Sequence, residues 1–545
     1  MDRGMHPART GRLCLWAGMV CVWVAFGASA WPLLFLPPDP DTMASLWMAE
    51  HLPWWAPFVD SLAASYDKRW YFNPLLTLSH HVDIALPAQV GAARHHLVGL
   101  LGVLLLSTTL ARAVFVQSSS GLVGSVAAAL FVFSSPTWQA TAIPVLRHYV
   151  WASYLGLLSL LPAWHLYLSG DRPSRGGTWR SAIAFGLGLL FKEAIAGLPV
   201  LLFALAYGRS RTVRRAATFI LPHTLVLGCY LVWRFMMLGG LGGYFHMPRG
   251  TLNPTILPLT LFRLVWGSAW VGVWVGALSL WLAPRLAWVW LAGMSGTLLP
   301  FVFATPATTS DLEFAGKLLL PFALYLLLVS HSLKRLGPWL PRVLPLVAAL
   351  LLPLQWQQRE ATLRPLFLWV DTSRAQALPP PWHGPLVLVS GYYWFYTFMH
   401  QRLAGPQAPL FGFMTTEDAA VFRALGGDWP QGAETIGIPG HLPAFRRQEL
   451  ILDESEAHID GRGFFRLRVP ESEIGKLRLG IAYKNGETHW FASLPVQRRR
   501  VVLPLTYSDR AVVLYKVTRK GDLLARVWSS PFFTDPYPAG EGAKR

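Results

Sequence analysis

Residues 187–208, LGLLFKEAIAGLPVLLFALAYG, place a charged pair, Lys192–Glu193, between two apolar runs. Each run is shorter than the roughly 20 residues that cross a bilayer as one helix. The stretch therefore reads as two half-length helices, 181–192 and 195–208, meeting at a polar break. Charge near a membrane core is costly unless it faces a cavity and has a partner. The break is thus a candidate site, and the chain reads as a mostly α polytopic membrane protein.

Composition agrees with that reading. The 545 residues are 53% hydrophobic and 14% charged, with mean hydropathy +0.37. A soluble protein of this length needs a far more polar surface. Apolar runs near 13–36, 96–116, 120–135, 149–169, 181–192, 195–208, 216–238, 259–282, 286–304, 317–333 and 341–357 predict about eleven transmembrane helices. If the N-terminus is cytoplasmic, the cytoplasmic loops carry Arg112, Arg172, Arg175, Arg180, Arg209, Arg211, Arg214, Arg215, Arg285, Lys334, Arg335 and Arg342, with Arg3, Arg9 and Arg12 in the N-terminal tail. That is a positive-inside pattern. It explains most of the net charge of +18 and argues against nucleic acid as a partner, since no basic stretch has interleaved aromatics. The first apolar run is long for a signal peptide, so it is read as an uncleaved helix. Cys14, Cys21 and Cys229 lie in apolar runs, and no C-x-x-C pair suggests a disulfide framework or a structural zinc site.

Three regions follow. Residues 1–357 form the transmembrane domain, including a long external loop, 37–95, rich in Trp, Pro and His. Residues 358–382 are a linker. Residues 383–545 change character: PLVLVSGYYWFY, GFFRLRVP, KLRLGIAYK, AVVLYKV and LLARVWSS are short alternating runs, with turn signals IDGRG, KNGE and RKGD between some of them. They predict an extracytoplasmic β-rich, sandwich-like domain. An odd number of spans puts this domain on the side opposite the N-terminus, in a bacterial inner membrane.

The first external loop opens with FLPPDPDTM, where Asp39 and Asp41 stand between prolines. One reading is a solvated Asp-Pro turn. The other is a general base for an acceptor hydroxyl, or a ligand for a divalent metal that binds a phosphate. Arg147, Lys192, Arg234, Arg263 and Lys317 lie near the outer ends of five different spans, and Lys68, Arg69, Arg94 and Arg249 add to the same side. Each can snorkel to the headgroups alone; together they suit a cavity for a lipid-linked phosphate. Asp311 and Glu313 offer Lys317 a local partner instead. His51, His80, His81, His95, His96, His148 and His246, with Asp39, Asp41, Asp83 and Glu193, supply metal-ligand chemistry, but no zinc-type spacing such as H-E-x-x-H occurs and the metal is left open.

Taken in order, five stretches resemble the GT-C superfamily of membrane glycosyltransferases, closest to its protein O-mannosyltransferase-like branch. They are PPDPDTM after the first span, NPLLTLSHHVDIAL before RHHLVGLLGVLLLSTTLARAV, AAALFVFSSPTWQATAIPVLRHYVWASYLGLLSLLPAWHLYL, LGLLFKEAIAGLPVLLFALAYG and VWRFMMLGGLGGY. The likeness covers roughly residues 12–335, and KEAIAGLP is its most specific part. It departs from the family where Pro40 separates the two acids, where Asn73 replaces an arginine, and where Gly316–Lys317 replaces an Arg-Tyr pair.

The resemblance implies transfer of a sugar from a polyprenyl-phosphate carrier to an acceptor on the extracytoplasmic side, with membrane lipid as surroundings and the acceptor (protein, lipid or glycan) unidentified. It implies that Asp41 or Asp39 is the catalytic base. Arg147, Lys192, Arg234 and Lys317 would contact the donor phosphate, with Arg69 close to the missing arginine. Glu193, His95 and His148 would support them. Other classes are a flippase for a lipid-linked sugar, for which no pseudo-symmetric halves are visible, and a non-catalytic assembly protein that binds partners through its C-terminal domain.

Overall fold

In the computed structural model the first apolar run forms α1 (His6–Ala30), which a 3-10 turn over Trp31–Phe35 closes. The structure describes residues 6–36, 72–87, 93–170, 174–238, 269–302 and 316–339, smaller pieces of 42–59 and 349–363, and the strands and short helices named below within 386–529. The chain divides into two compact units between Val370 and Asp371. The expected linker, 358–382, lies largely outside the described residues.

The first unit is helical. Pro74–Ala85 is α2, a short helix in the first long loop, started by Pro74 in its first turn. Arg94–Ser118 is α3; Ser119 turns left-handed at its end (φ 57°), and Ser120 then caps α4 (Gly121–Val132) by accepting from Val123 N. A bend of 56° separates α4 from α5 (Ser135–Ala142), with Pro136 in the first turn of α5. The apolar run 120–135 is therefore a broken element and not one straight span. After Pro144–Leu146, α6 runs from Arg147 to Ser169 and stops at Gly170 (φ 85°), the position that glycine fills at no steric cost. Ser174 caps α7 (Arg175–Phe191), accepting from Gly177 N at 3.1 Å.

The opening stretch reads in the structure as it does in the sequence. Lys192 is extended (φ −163°, ψ 133°), Glu193–Ile195 make one 3-10 turn, and α8 (Leu198–Ser210) follows. At 17 residues α7 begins six residues before the expected 181 and reaches the lower limit of a span, whereas α8, at 13, falls short of one. Then come α9 (Val213–Leu238), α10 (Ala269–Leu282), α11 (Ala287–Val302) and α12 (Leu319–Leu333).

Among the described residues, four helices are long and apolar enough to cross a membrane, or up to six if each of two bent pairs is one span. The chain is an integral membrane protein. Its helical surface carries exposed Trp270, Trp274 and Trp281 on α10 and Val24 on α1, while polar side chains turn inward. Lipid gives helices little hydrophobic reason to associate, so close approach and internal hydrogen bonds hold them. A side chain on Gly121 would collide with the backbone of α1 at Gly11 and Leu15. Gln117 donates to Leu327 O at 3.0 Å and accepts from Trp164 Nε1 at 3.2 Å, tying α3, α6 and α12. Ser181 Oγ meets His223 Nε2 at 2.8 Å, tying α7 to α9.

The second unit holds an eight-stranded sheet and a three-stranded one. The strands are β1 (Leu386–Val389), β2 (Leu410–Phe413), β3 (Glu434–Ile436), β4 (Arg446–Glu449), β5 (Ala457–Ile459), β6 (Phe464–Arg468), β7 (Leu477–Asn485), β8 (Thr488–Pro495), β9 (Arg500–Pro504), β10 (Asp509–Val517) and β11 (Leu523–Ser529). The order is β3-β1-β2-β8-β7-β10-β11-β4, with β5-β6-β9 separate. The turn signals KNGE, IDGRG and RKGD join the antiparallel pairs β7–β8, β5–β6 and β10–β11. Parallel pairing of β1 with β2 and β3, of β2 with β8 and of β4 with β11 departs from a turn-linked sandwich. The crossover from β2 to β3 carries α13 (Thr416–Ala424), whose Phe422 packs on Phe413 of β2 with ring centroids 5.3 Å apart.

Candidate functional site

The ends of α1, α3, α6, α7 and α9 and the start of α12 meet at one end of the helical unit. His96 at the start of α3 ties two of them, with Nε2 3.3 Å from Leu36 O and Nδ1 2.9 Å from Thr141 O at the end of α5. Helix α2 is laid across these ends. Ahead of it, the buried Asn73 amide is oriented to donate to Phe191 O, at 3.2 Å, at the end of α7. The Phe72 ring packs on Tyr230 and Trp233 of α9, at 6.0 and 5.3 Å.

Asp83 of α2 anchors the crossing. Its carboxylate is fully buried and takes Arg147 Nη1 on Oδ1 at 2.8 Å and Arg147 Nη2 on Oδ2. Arg147 Nε donates to Pro144 O at 3.1 Å, and Nη2 also reaches His95 O at 3.2 Å. His80 Nδ1 lies 3.2 Å from Asp83 Oδ2 and His95 Nδ1 lies 3.7 Å from it. Burial alone would raise the Asp83 pKa, but the hydrogen bonds from Arg147 and His80, with the His95 ring beside the carboxylate and the Arg147 charge, outweigh it and hold the carboxyl below its usual range. Burial, and then the Arg147 charge, pushes His80 down to about 3, so its ring is neutral. The guanidinium edge expected to meet a phosphate thus holds Asp83. Arg147 pins α2 to α3 and α6.

A second group forms where α7 breaks. Because Lys192 leaves the helix in an extended conformation, its side chain and that of Glu193 diverge from the helix line. Glu193 lies 3.7 Å from Lys192 Nζ and 3.4 Å from Arg234 Nη1 of α9. Arg234 also donates to Tyr230 Oη at 3.0 Å, and Lys192 Nζ sits 5.4 Å above the Tyr149 ring. The turn that carries Lys317, Gly316–Leu318, packs against α5 and the start of α6. His148 Nδ1 is 2.5 Å from Val145 O, and its ring lies 4.2 Å from that of Tyr149.

Burial separates the two ends of the unit. Arg147, Lys192, Arg234 and Lys317 are 0%, 1%, 4% and 9% exposed. Arg12, Arg112, Arg175, Arg180, Arg209, Arg211, Arg214, Arg215, Arg285, Lys334 and Arg335 are all exposed. Exposed loop cations set topology; buried cations from separate elements are a site or a structural network.

Asp39, Asp41 and Arg69 lie outside the described residues, as do Lys68, Arg249, Arg263, Asp311 and Glu313. The flanks of the acids are described. Leu36 O receives His96, and Thr42 Oγ1, fully buried, accepts from Val145 N at 2.8 Å. Thr42 is bonded directly to residue 41, and Val145 stands two residues before Arg147. His95 and His148 join the two groups described above. Tyr230 was not singled out from the sequence, and Asp83 and Asn73 were noted there for other reasons, as a candidate metal ligand and as a departure from the family arginine. The spacing of His80 and Asp83, three apart on α2, was the available signal for Asp83. Among the described residues, no three His, Cys, Asp or Glu side chains are placed to hold a metal ion.

No family model and no curated protein matches this chain. Among solved structures it is similar to the crystal structure of ArnT from Cupriavidus metallidurans in the apo state, at 15% identity and a TM-score of 0.47, over 73% of this chain and 86% of that one. A likeness of that degree assigns no activity.

Proposed function

We propose that the chain is an integral-membrane glycosyltransferase of the GT-C type, which moves a sugar from a polyprenyl-phosphate donor to an acceptor hydroxyl on the extracytoplasmic side. The observation that carries this reading is the convergence of Lys192, Arg234 and Lys317, buried and drawn from three separate elements, at one end of a unit whose exposed described Lys and Arg residues gather at the opposite end. Sequence stretches in GT-C order supply the reaction class.

In this reading Lys192, Arg234 and Lys317 hold the donor phosphate, and Glu193 orients the first two. Asp41 or Asp39 takes the proton of the acceptor hydroxyl as its oxygen attacks the anomeric carbon. The bond from that carbon to the phosphate oxygen breaks. The phosphate leaves with one more negative charge than it had as a diester, and fixed cations favour that change. The described residues that flank the acids in sequence, Leu36 and Thr42, bond to His96 and Val145.

The test is transfer of radiolabelled sugar from a panel of polyprenyl-phosphate sugars, in membranes carrying wild type, Asp39→Asn, Asp41→Asn or Lys192→Met at matched protein level. Loss of transfer in one Asp variant and in Lys192→Met is expected. Equal transfer in all four would remove both roles.

A further inference from the structure

We infer that His148 accepts a hydrogen bond, through Nε2, from a hydroxyl of the sugar carried by the donor, and so sets which sugars are held. The inference rests on the proposed glycosyltransferase reading and extends it to the recognition of the sugar.

Two observations define the chemistry. His148 Nδ1 lies 2.5 Å from Val145 O, a carbonyl, which can only accept. The proton of the neutral ring is therefore on Nδ1, and Nε2 carries a bare lone pair. Nε2 is also buried and without any hydrogen-bond partner, in a residue only 2% exposed. Buried acceptors in folded proteins are nearly always satisfied, so one left open at a site is fitted to something that arrives there.

Position says what arrives. The ring lies 4.2 Å from that of Tyr149, over which Lys192 Nζ sits at 5.4 Å, and the turn that carries Lys317 packs against α6; these two are the cations assigned to the phosphate. A phosphate oxygen would repel the lone pair; a hydroxyl would satisfy it. In a glycosyl phosphate the sugar is joined directly to the phosphate, so its hydroxyls lie next to the cations that hold that group. His80 Nε2 and His95 Nδ1 are also without a hydrogen-bond partner, but the His80 ring is held through Nδ1 at Asp83 and Arg147, and His95 Nδ1 faces the Asp83 carboxylate at 3.7 Å. The hydrogen bond of the His148 ring goes to a backbone carbonyl, which leaves Nε2 for a ligand.

The experiment measures binding to the purified full chain in detergent. The probes are farnesyl phosphate, farnesyl-phosphate hexoses and their monodeoxy counterparts. His148→Ala is expected to weaken the best hexose probe about tenfold, the scale of one hydrogen bond, while farnesyl phosphate binds as to wild type. Unchanged farnesyl phosphate binding is also the internal check on folding. On wild type, one monodeoxy sugar should lose the same factor, and His148→Ala should not discriminate against it further. Lys192→Met should weaken both kinds of probe alike.

If His148→Ala binds the hexose probe as wild type does, while Lys192→Met still loses both, His148 has no such role and the phosphate reading stands. If wild type binds none of the probes, the reading falls and the inference with it. If His148→Ala loses farnesyl phosphate too, the wild-type deoxy series and His148→Gln, which restores an acceptor, decide. A deoxy penalty of about tenfold with partial rescue by Gln supports the inference, and no penalty at any position overturns it.

Discussion

Asp83 and Arg147 stand 64 residues apart in sequence and form a fully buried, two-point ion pair that fixes the loop helix α2 to the starts of α3 and α6. A buried pair of this kind is weak evidence for net stability, but opening it leaves one charge without its partner. Asp83→Asn or Arg147→Met alone should therefore destabilise the protein by about 3–5 kcal/mol. The double variant Asp83→Leu with Arg147→Met should recover much of that loss, because no charge is then stranded. Thermal unfolding of the purified variants in one detergent decides. Equal losses in the single and double variants would mean that the pair is not coupled.

The same cluster makes stability depend on pH. The His80 pKa falls from 6.5 unfolded to about 3 folded, through burial and the Arg147 charge. Between those values the unfolded chain binds a proton that the folded chain refuses, so stability drops as pH falls through that window. Asp83 acts in the same direction: its folded carboxyl lies below the ordinary 3.8, so its contribution is complete above 3.8 and is lost as pH falls toward the folded value. His80→Gln should make the fall of the melting temperature between pH 6.5 and 4 shallower, because one of the protons that the folded chain refuses is removed. An unchanged slope in that variant would show that another group titrates there.

Burial also divides the cations into two kinds with different expected phenotypes. Lys192→Gln, Arg234→Gln and Lys317→Gln should each lower sugar transfer by about 10²–10³, the usual effect of removing a fixed charge that meets a developing anion. Arg211→Gln and Arg285→Gln, at the exposed end, should leave transfer near wild type. Transfer assays in membranes at matched protein level separate the two groups. A loss at Arg211 as large as that at Lys192 would contradict the division.

The fold was legible where physics is local. Two apolar runs, each too short to span and joined by Lys192–Glu193, announce a helix break, and the structure breaks there. Ser120, Ser174 and Gly170 mark helix ends by capping and by left-handed backbone. What sequence could not supply is pairing at a distance. Arg147 was read as a phosphate contact and Asp83 as a possible metal ligand, and the bond between them spans 64 residues, where no spacing points to it. Parallel strand pairing was hidden for the same reason: turns such as KNGE announce antiparallel neighbours, whereas β1 meets β2 and β3 through crossovers that leave no local mark. The Pro-Asp loop was read for its chemistry, and its anchors at Leu36 and Thr42 depend on His96 and Val145, which no spacing connects to it.

The helix break is held from behind by two glycines. A Cβ on Gly197 would fall on Gly296 O, and one on Gly296 would come within 2.7 Å of Gly197 O. Both obstacles are backbone and cannot rotate aside, so α8 and α11 would have to separate. Gly197 is five residues beyond Lys192 and immediately before α8, so the shift would pass into the turn that carries Glu193. Gly197→Val should cost about 1–3 kcal/mol or more and lower transfer beyond what the loss of folded protein explains. Gly276→Ala on α10 is the control, since nothing lies within 4 Å of its added methyl. There the helix gains about 0.5–1 kcal/mol from reduced backbone freedom in the unfolded chain. Melting temperatures should therefore move in opposite directions for the two variants. A Gly197→Val protein as stable and active as wild type would show that α8 and α11 do not touch where the two glycines meet.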